Sequence, residues 1–173
     1  MRLIRLVMER LELTLHPTKT KLINMGKGKE GFDFLGMHHR RIKEQNRTGY
    51  SYVKVQQWLT SKAEQRIRDV IRARLATSRA LVQSVKEHIE YLNPKIRGWK
   101  TYYGGTGSYT NTKKLVKLDW YIIEQFARWY AKKRKKNGMH SVIKTITRVV
   151  AQMGLLRMTN NRMHMNDERR KAV

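Results

Sequence analysis

Residues 91–136 read YLNPKIRGWKTYYGGTGSYTNTKKLVKLDWYIIEQFARWYAKKRKK, and this stretch decides the architecture. Its apolar residues recur at the spacing of one helical face. Ile96, Trp99 and Tyr103 share a side, and Leu115, Leu118, Ile122, Phe126 and Trp129 mark a second, longer helix. Asn93-Pro94 is expected to end one helix and, with Pro at a favoured first position, to start the next. Gly104–Ser108 reads as a flexible loop. The long helix runs into Lys132-Lys133-Arg134-Lys135-Lys136, cations that complement the negative end of its dipole. Asn137-Gly138 is the expected stop.

Outward from this stretch the helical period continues on both sides. Val142, Ile146, Val149, Val150 and Met153 predict a final helix, and from Asn160 onward the chain is polar. Ser84-Val85-Lys86-Glu87 and Ser61-Lys62-Ala63-Glu64 both carry the capping-box spacing that opens a helix. Behind the second box, Ala63, Ile67, Val70, Ile71 and Leu75 form a stripe with Arg66, Arg68, Arg72 and Arg74 largely outside it. Before Ser61 the period drops to two. Residues 3–11 suit a short helix, Leu11–Leu15 alternates as a strand, and His16-Pro17 interrupts it. Leu22-Ile23-Asn24 is another short apolar run, and Gly26–Gly31 is turn-like. Phe32, Phe34, Met37 and Ile42 punctuate strands, and Gln45–Gly49 is a hairpin-type connection. Beyond it Tyr50, Tyr52 and Lys54 alternate with Ser51, Val53 and Val55. The fold class is therefore α+β, with a β-rich piece over 1–57, a helical piece over 58–158 and a polar tail over 159–173. A β segment this short with several open edges is marginal alone and implies a further part.

Composition narrows the function. The chain has 173 residues, no cysteine, and a net charge of 38 − 13 = +25. Disulfides, Cys-ligated zinc, iron–sulfur clusters and thiol nucleophiles are excluded. No apolar run approaches the ~20 residues that span a bilayer, and the charges of the first ten residues break up any signal-peptide core. No membrane partner is expected, and the cytoplasm is the expected location. A charge of this size spread over the whole length calls for a polyanion, and nucleic acid is the first choice. The four Trp and eight Tyr are scattered among the cations, where bases can stack on them, although most such rings individually suit a core.

No complete active site can be assembled. Phosphoryl transfer needs paired carboxylates for divalent metal, yet Asp33, Asp69, Asp119 and Asp167 lie on separate elements and no Asp-x-Asp pair exists. His38 and His39 on a strand point to opposite faces. None of His16, His88, His140 and His164 has a second histidine at i+3 or i+4, and Ser141 beside His140 is no triad. Neither Gly26-Lys27-Gly28-Lys29 nor Gly104-Gly105 has the strand–loop–helix context of a phosphate loop. What remains is binding. Lys95, Arg97 and Lys100 interleave with Trp99, Tyr102 and Tyr103. Trp99 and Tyr103 suit a core, whereas Arg97, Lys100 and Tyr102 suit phosphate or base contacts. Lys132–Lys136 is either a solvated helix end or a phosphate strip. In a chain already at +25 the strip is favoured, because gathered cations repel unless a polyanion offsets them.

Four segments carry a family resemblance. LELTLHPTKTKLIN (11–24) and GFDFLG (31–36) resemble the last blocks of the reverse-transcriptase domain of group II intron-encoded proteins. YLNPKIRGWKTYYG (91–104) and LDWYIIEQFARWYAKKRKK (118–136) resemble their thumb-like maturase region, domain X. The resemblance runs in order over about 10–158, and its Pro-x-x-Arg-Gly-Trp-x-x-Tyr-Tyr block is specific. It implies that 10–57 closes a palm subdomain and that the helices grip folded intron RNA and assist its splicing. The residues it nominates for nucleic-acid contact are His16, Lys19 and Lys21, with Arg97, Trp99, Lys100, Tyr102 and Tyr103; Phe34-Leu35-Gly36 falls near the primer end. Lys95 and Lys132, Lys133, Arg134, Lys135 and Lys136 join them from the reading of charge.

The family's Tyr-Ala-Asp-Asp type metal-binding turn is not in this sequence. The expectation is therefore an RNA-binding maturase without polymerase activity or catalytic residues, and without a cofactor of its own. Mg²⁺ enters only if a separately encoded fingers–palm piece complements the chain, making it part of a split or truncated RNA-directed DNA polymerase. Such a piece, or a DNA target, would be a further partner.

Overall fold

The computed structural model describes residues 2–14, 16, 20, 23–26, 28 and 30–159. A helix α1 (Arg2–Arg10) precedes an antiparallel meander of β1 (Gly31–Phe34), β2 (Met37–Gln45) and β3 (Ser51–Leu59), in the order β1-β2-β3. The hairpin over 45–51 is set by Asn46, whose Oδ1 accepts from the N–H groups of Thr48 (3.1 Å) and Tyr50 (2.8 Å). Strand alternation sends His38 and His39 to opposite faces. His38 Nδ1 lies 2.6 Å from Asp33 Oδ1 and its ring 4.7 Å from Trp58, while the His39 ring stacks on Phe32 at 4.8 Å.

The expected strand over Leu11–Leu15 does not form among the described residues of that stretch. Glu12 adopts a left-handed conformation (φ 56°), and Leu13 N–H donates to Met8 O at 2.9 Å while Glu12 N–H donates to Glu9 O at 3.1 Å. This is a Schellman closure of α1, so the alternating residues are spent on a helix end. Ile23 and Asn24 lie in no strand, and Leu15, Pro17 and Leu22 are outside the described residues. The apolar residues of α1 find no core; Leu3 remains 79% exposed.

Helix α2 spans Ser61–Leu75, and its cap is Thr60 rather than Ser61. Thr60 leaves β3 in extended backbone, accepts from Ala63 N–H at 3.2 Å and donates its own N–H to Gly36 O at 3.0 Å. Glu64 is drawn elsewhere, to Arg68 at 2.8 Å and Lys114 at 3.8 Å, so the box does not close on Ser61. Ala63, Ile67, Ile71 and Leu75 bury their stripe as expected.

Helix α3 (Val85–Tyr103) opens with both halves of the Ser84–Glu87 capping box in place. It then runs unbroken through Pro94, contrary to the two helices expected. A mid-helix proline costs ~3 kcal/mol, but Ile89, Leu92 and Ile96 are buried on either side of it, each contributing ~1.5–3 kcal/mol. Glu90, whose carbonyl loses its helical partner, and Pro94 are both exposed residues.

The stretch expected to be a flexible loop is a 3₁₀ turn (Gly104–Thr106) followed by Ser108, the buried N-cap of α4 (Tyr109–Arg134). Helix α4 ends before Asn137-Gly138. Lys135 takes the left-handed cap (φ 49°) and Lys136 N–H donates to Ala131 O at 3.0 Å, while Gly138 (φ 85°) opens α5 (Met139–Gln152).

The core sits among α2, α3, α4 and α5, and α4 is its axis: Leu115, Leu118, Ile122, Phe126 and Trp129 are all buried. Buried polar side chains fasten irregular segments to it. Asn111 accepts from Leu59 N–H (2.9 Å) and donates to Tyr103 O (2.6 Å) and Thr106 Oγ1 (3.0 Å), joining the last strand to two helices. Asp119 accepts from Met158 N–H (2.8 Å), Thr159 N–H (3.1 Å) and Thr159 Oγ1 (2.7 Å). Asn93 holds Gly154 O (3.0 Å) and Leu156 N–H (2.9 Å), so the strap after α5 crosses both α3 and α4. Among the described residues no helix is long and apolar enough to cross a membrane.

His88 is fully buried (0% exposed), edge-on to Phe126 and Trp129. Its Nε2 lies 3.2 Å from Ala80 O, which also accepts from Trp129 Nε1 at 2.8 Å, while Nδ1 has no partner. Burial depresses the His88 pKa below its ordinary 6.5. The unfolded chain therefore binds the proton more readily, and stability present above pH 6.5 is lost as pH falls through that value. Urea midpoints measured from about pH 7.5 to 5.5 should drop for the wild type and change less for His88→Leu; parallel curves for the two would contradict a neutral buried imidazole.

Candidate nucleic-acid interface

The cation–aromatic run of α3 divides by helical position. Ile96 is fully buried, while Trp99 and Tyr103 are half-buried and pack against the core. Arg97 and Tyr102 are exposed, and Lys95 and Lys100 are half-buried. Lys95 Nζ lies 4.8 Å from the Tyr91 ring, and Arg74 of α2 covers the same ring at 4.4 Å. Each such contact contributes ~0.5–1 kcal/mol at exposed sites and fixes the cation's position.

Tyr102 and Tyr103 meet a second sequence block. The Tyr102 hydroxyl donates to Leu35 O at 2.9 Å. Gly36 (φ 83°) sits so close that an added Cβ would lie 3.1 Å from the Tyr103 hydroxyl and 3.3 Å from Ala63 Cβ. A side chain there would crowd both neighbours by a few tenths of an ångström and strain the left-handed backbone. The turn after β1 is thus clamped to the end of α3, and burial raises the Tyr103 pKa, keeping its phenol protonated. His16 is exposed and its carbonyl accepts from Thr20 N–H at 3.0 Å; Lys19 and Lys21 lie outside the described residues.

Lys132 through Lys136 are all exposed. Lys133 donates to Gln83 O and lies 5.1 Å from the Trp129 ring, and Arg134 lies 6.0 Å from the Tyr130 ring. The end of α4 is thereby tied to the 3₁₀ turn Ser78–Leu81 and the residues after it. Arg72 and Arg74 from the last turn of α2 and Arg128 from α4 reach the same region. Arg74 donates to Glu87 O at 3.2 Å, and Arg128 pairs with Glu124 at 2.6 Å. The sequence reading missed Arg72, Arg74 and Arg128. The signal for Arg128 was present, because Tyr121, Gln125, Arg128 and Lys132 follow one another at i, i+4, i+7 and i+11 beside the apolar stripe of α4.

The acidic residues do not offset this field. Glu44, Glu64 and Glu124 are engaged with Lys54, Arg68 and Arg128 respectively. Arg66, Arg72, Arg79, Arg97, Lys132, Lys135 and Lys136 are exposed and have no ion pair among the described residues. No group of three or more His, Asp or Glu gathers among the described residues to hold a divalent ion.

Lys135 illustrates the cost of this surface. A left-handed cap favours glycine, and an L side chain there costs about 1 kcal/mol. Lys135→Gly should accordingly raise unfolding stability by about that amount, read as a higher urea midpoint with unchanged m-value. A lowered midpoint would show that the lysine side chain itself supports the fold.

A protein-family model described as group II intron, maturase-specific domain, matches residues 60–147, from the cap of α2 into α5. No curated protein and no solved structure gave a match. The matched span is just over half of the chain and contains the Arg97–Tyr103 run, the whole of α4 and its basic end. The chain belongs to the family of the group II intron maturase-specific domain.

Proposed function

We propose that this protein binds structured group II intron RNA through the cationic side of its helical bundle and assists folding and splicing of that RNA. The observation that carries this reading is the set of exposed cations without an ion pair on α2, α3 and α4 within the span matched by the maturase-specific domain. That domain is distinct from the catalytic polymerase block, and the reading assigns the chain no polymerase chemistry and a cytoplasmic site of action. Affinity would come mainly from phosphate contacts. The deep groove of folded RNA is closed to side chains, so shape and unpaired bases supply selectivity. Arg97, Lys100 and Tyr102 would work beside the Lys132–Lys136 strip, with Lys95, Trp99 and Tyr103 supporting them. His16, Lys19 and Lys21 would extend the contact toward the N-terminal part.

Salt titration tests the mechanism. With about six phosphates neutralised, log K should fall with log salt at a slope of about −4 to −5. Alanine at Lys132, Lys135 and Lys136 should weaken all RNAs alike and flatten that slope by about 1 for each phosphate left without its cation, whereas Arg97→Ala should discriminate among RNAs. A flat salt response would remove the electrostatic mechanism, and preference for duplex DNA over folded RNA at one salt concentration would favour a DNA target.

A second reading draws on the exposed Leu3, Ile4 and Val7 of α1 and Val53 and Val55 of β3. These are apolar groups a separately encoded fingers–palm piece would cover. Co-purification with such a piece, and polymerase activity only in the pair, is the expected outcome under it.

A further inference from the structure

Between the last turn of α2, the 3₁₀ turn Ser78–Leu81 and the middle of α4 lies a cleft of about 460 Å³. Ligand pockets commonly span about 300–1,000 Å³. Its wall is apolar, formed by Leu75, Leu81 and Trp129, and its mouth carries Arg72, Arg128 and Lys132. Two polar groups of the lining lack partners. The Tyr121 hydroxyl is buried and makes no hydrogen bond. Gln125 is 7% exposed, and its side-chain amide has no partner among the described residues. Buried polar groups are nearly always hydrogen-bonded, so the orphaned Tyr121 hydroxyl, with the Gln125 amide beside it in the lining, marks a place where a ligand supplies the missing partner.

The required ligand combines a flat apolar body, an edge bearing donors and acceptors, and an anionic tail. A nucleotide has all three. We propose that this cleft takes one unpaired nucleotide of the bound RNA, an inference that rests on the RNA-binding reading above. The base enters against the apolar wall and presents its polar edge to Gln125, whose amide can both donate and accept, and to the Tyr121 hydroxyl. The phosphate stays at the mouth among the three cations. The Arg68 guanidinium packs on the Tyr121 ring at 4.7 Å and fixes that ring in place. A nucleotide already unpaired pays little to leave its stack, so bulges and loops would be selected over continuous helix.

The test uses the full chain and two labelled RNA hairpins of equal phosphate count, one with a single unpaired adenosine bulge and one fully paired, at one fixed salt concentration. The wild type should bind the bulged hairpin about tenfold more tightly, the scale expected for one accommodated base. Tyr121→Phe removes only an unpartnered hydroxyl and should leave the melting temperature unchanged. It and Gln125→Leu should each shrink the preference severalfold without altering affinity for the paired hairpin. Equal binding of both hairpins by the wild type, or an undiminished preference in both variants, would overturn the cleft proposal and leave RNA binding standing. Failure to bind either hairpin in dilute buffer would overturn both. Adenosine monophosphate serves as the second probe: binding tighter than that of the bulged hairpin would assign the cleft to a free nucleotide and overturn the RNA source.

Discussion

Thirty-eight cationic side chains stand against thirteen acidic ones, and the rest of the structure depends on carrying that excess of positive charge around one helical core. Like charges held together raise the free energy of the compact state. The protein meets this with a dry interior built from the stripes of α2, α3, α4 and α5, and with acids placed where they pin local structure. Glu64 pins the start of α2 to α4 through Lys114, Glu87 closes a capping box, and Asp119 holds the strap after α5. Several aromatic rings work on both sides of that boundary, packing inward with one edge while carrying an arginine or lysine outside, as Trp129 does with Lys133.

Helix α4 organises both halves. Toward the sheet, Asn111 at its first turn takes the last N–H of β3 and the final carbonyl of α3, so strand and helix are held at one point. Toward the other end, its basic terminus is tied to Gln83 and flanks the cleft beside α2. The Leu35-Gly36 turn is clamped on Tyr102 and Tyr103, which couples the sheet to the C-terminal end of α3. Packing thus brings together cationic residues from segments distant in the chain, a precondition for binding a rigid, folded polyanion.

Much of this was legible in the residues. The stripes of α2, α4 and α5, the Ser84–Glu87 box and the hairpin at Asn46 are local features whose periodicity or turn chemistry needs no tertiary partner. The errors share another cause. Leu11–Leu15 alternates like a strand, yet a left-handed Glu12 turns its start into a helix cap. Pro94 reads as a break, yet burial on both sides of it outweighs one lost hydrogen bond. Ser61 carries the right spacing, yet the chain leaves β3 one residue earlier, at Thr60. In each case a long-range contact or cap geometry decided between local options. The cleft was illegible for the same reason, since Arg72 and Leu75 come from α2 and only folding sets them beside Gln125 and Arg128.

The central claim is that cations mounted on these helices, rather than the sheet or the chain's charge at large, hold the RNA. Lysine footprinting of the full chain by mild acetylation, with and without a group II intron transcript, tests it most directly. The account predicts that Lys95, Lys100, Lys132, Lys135 and Lys136 become protected while Lys43 on the sheet keeps its free reactivity. Uniform protection of every lysine, or protection confined to the sheet, would contradict it.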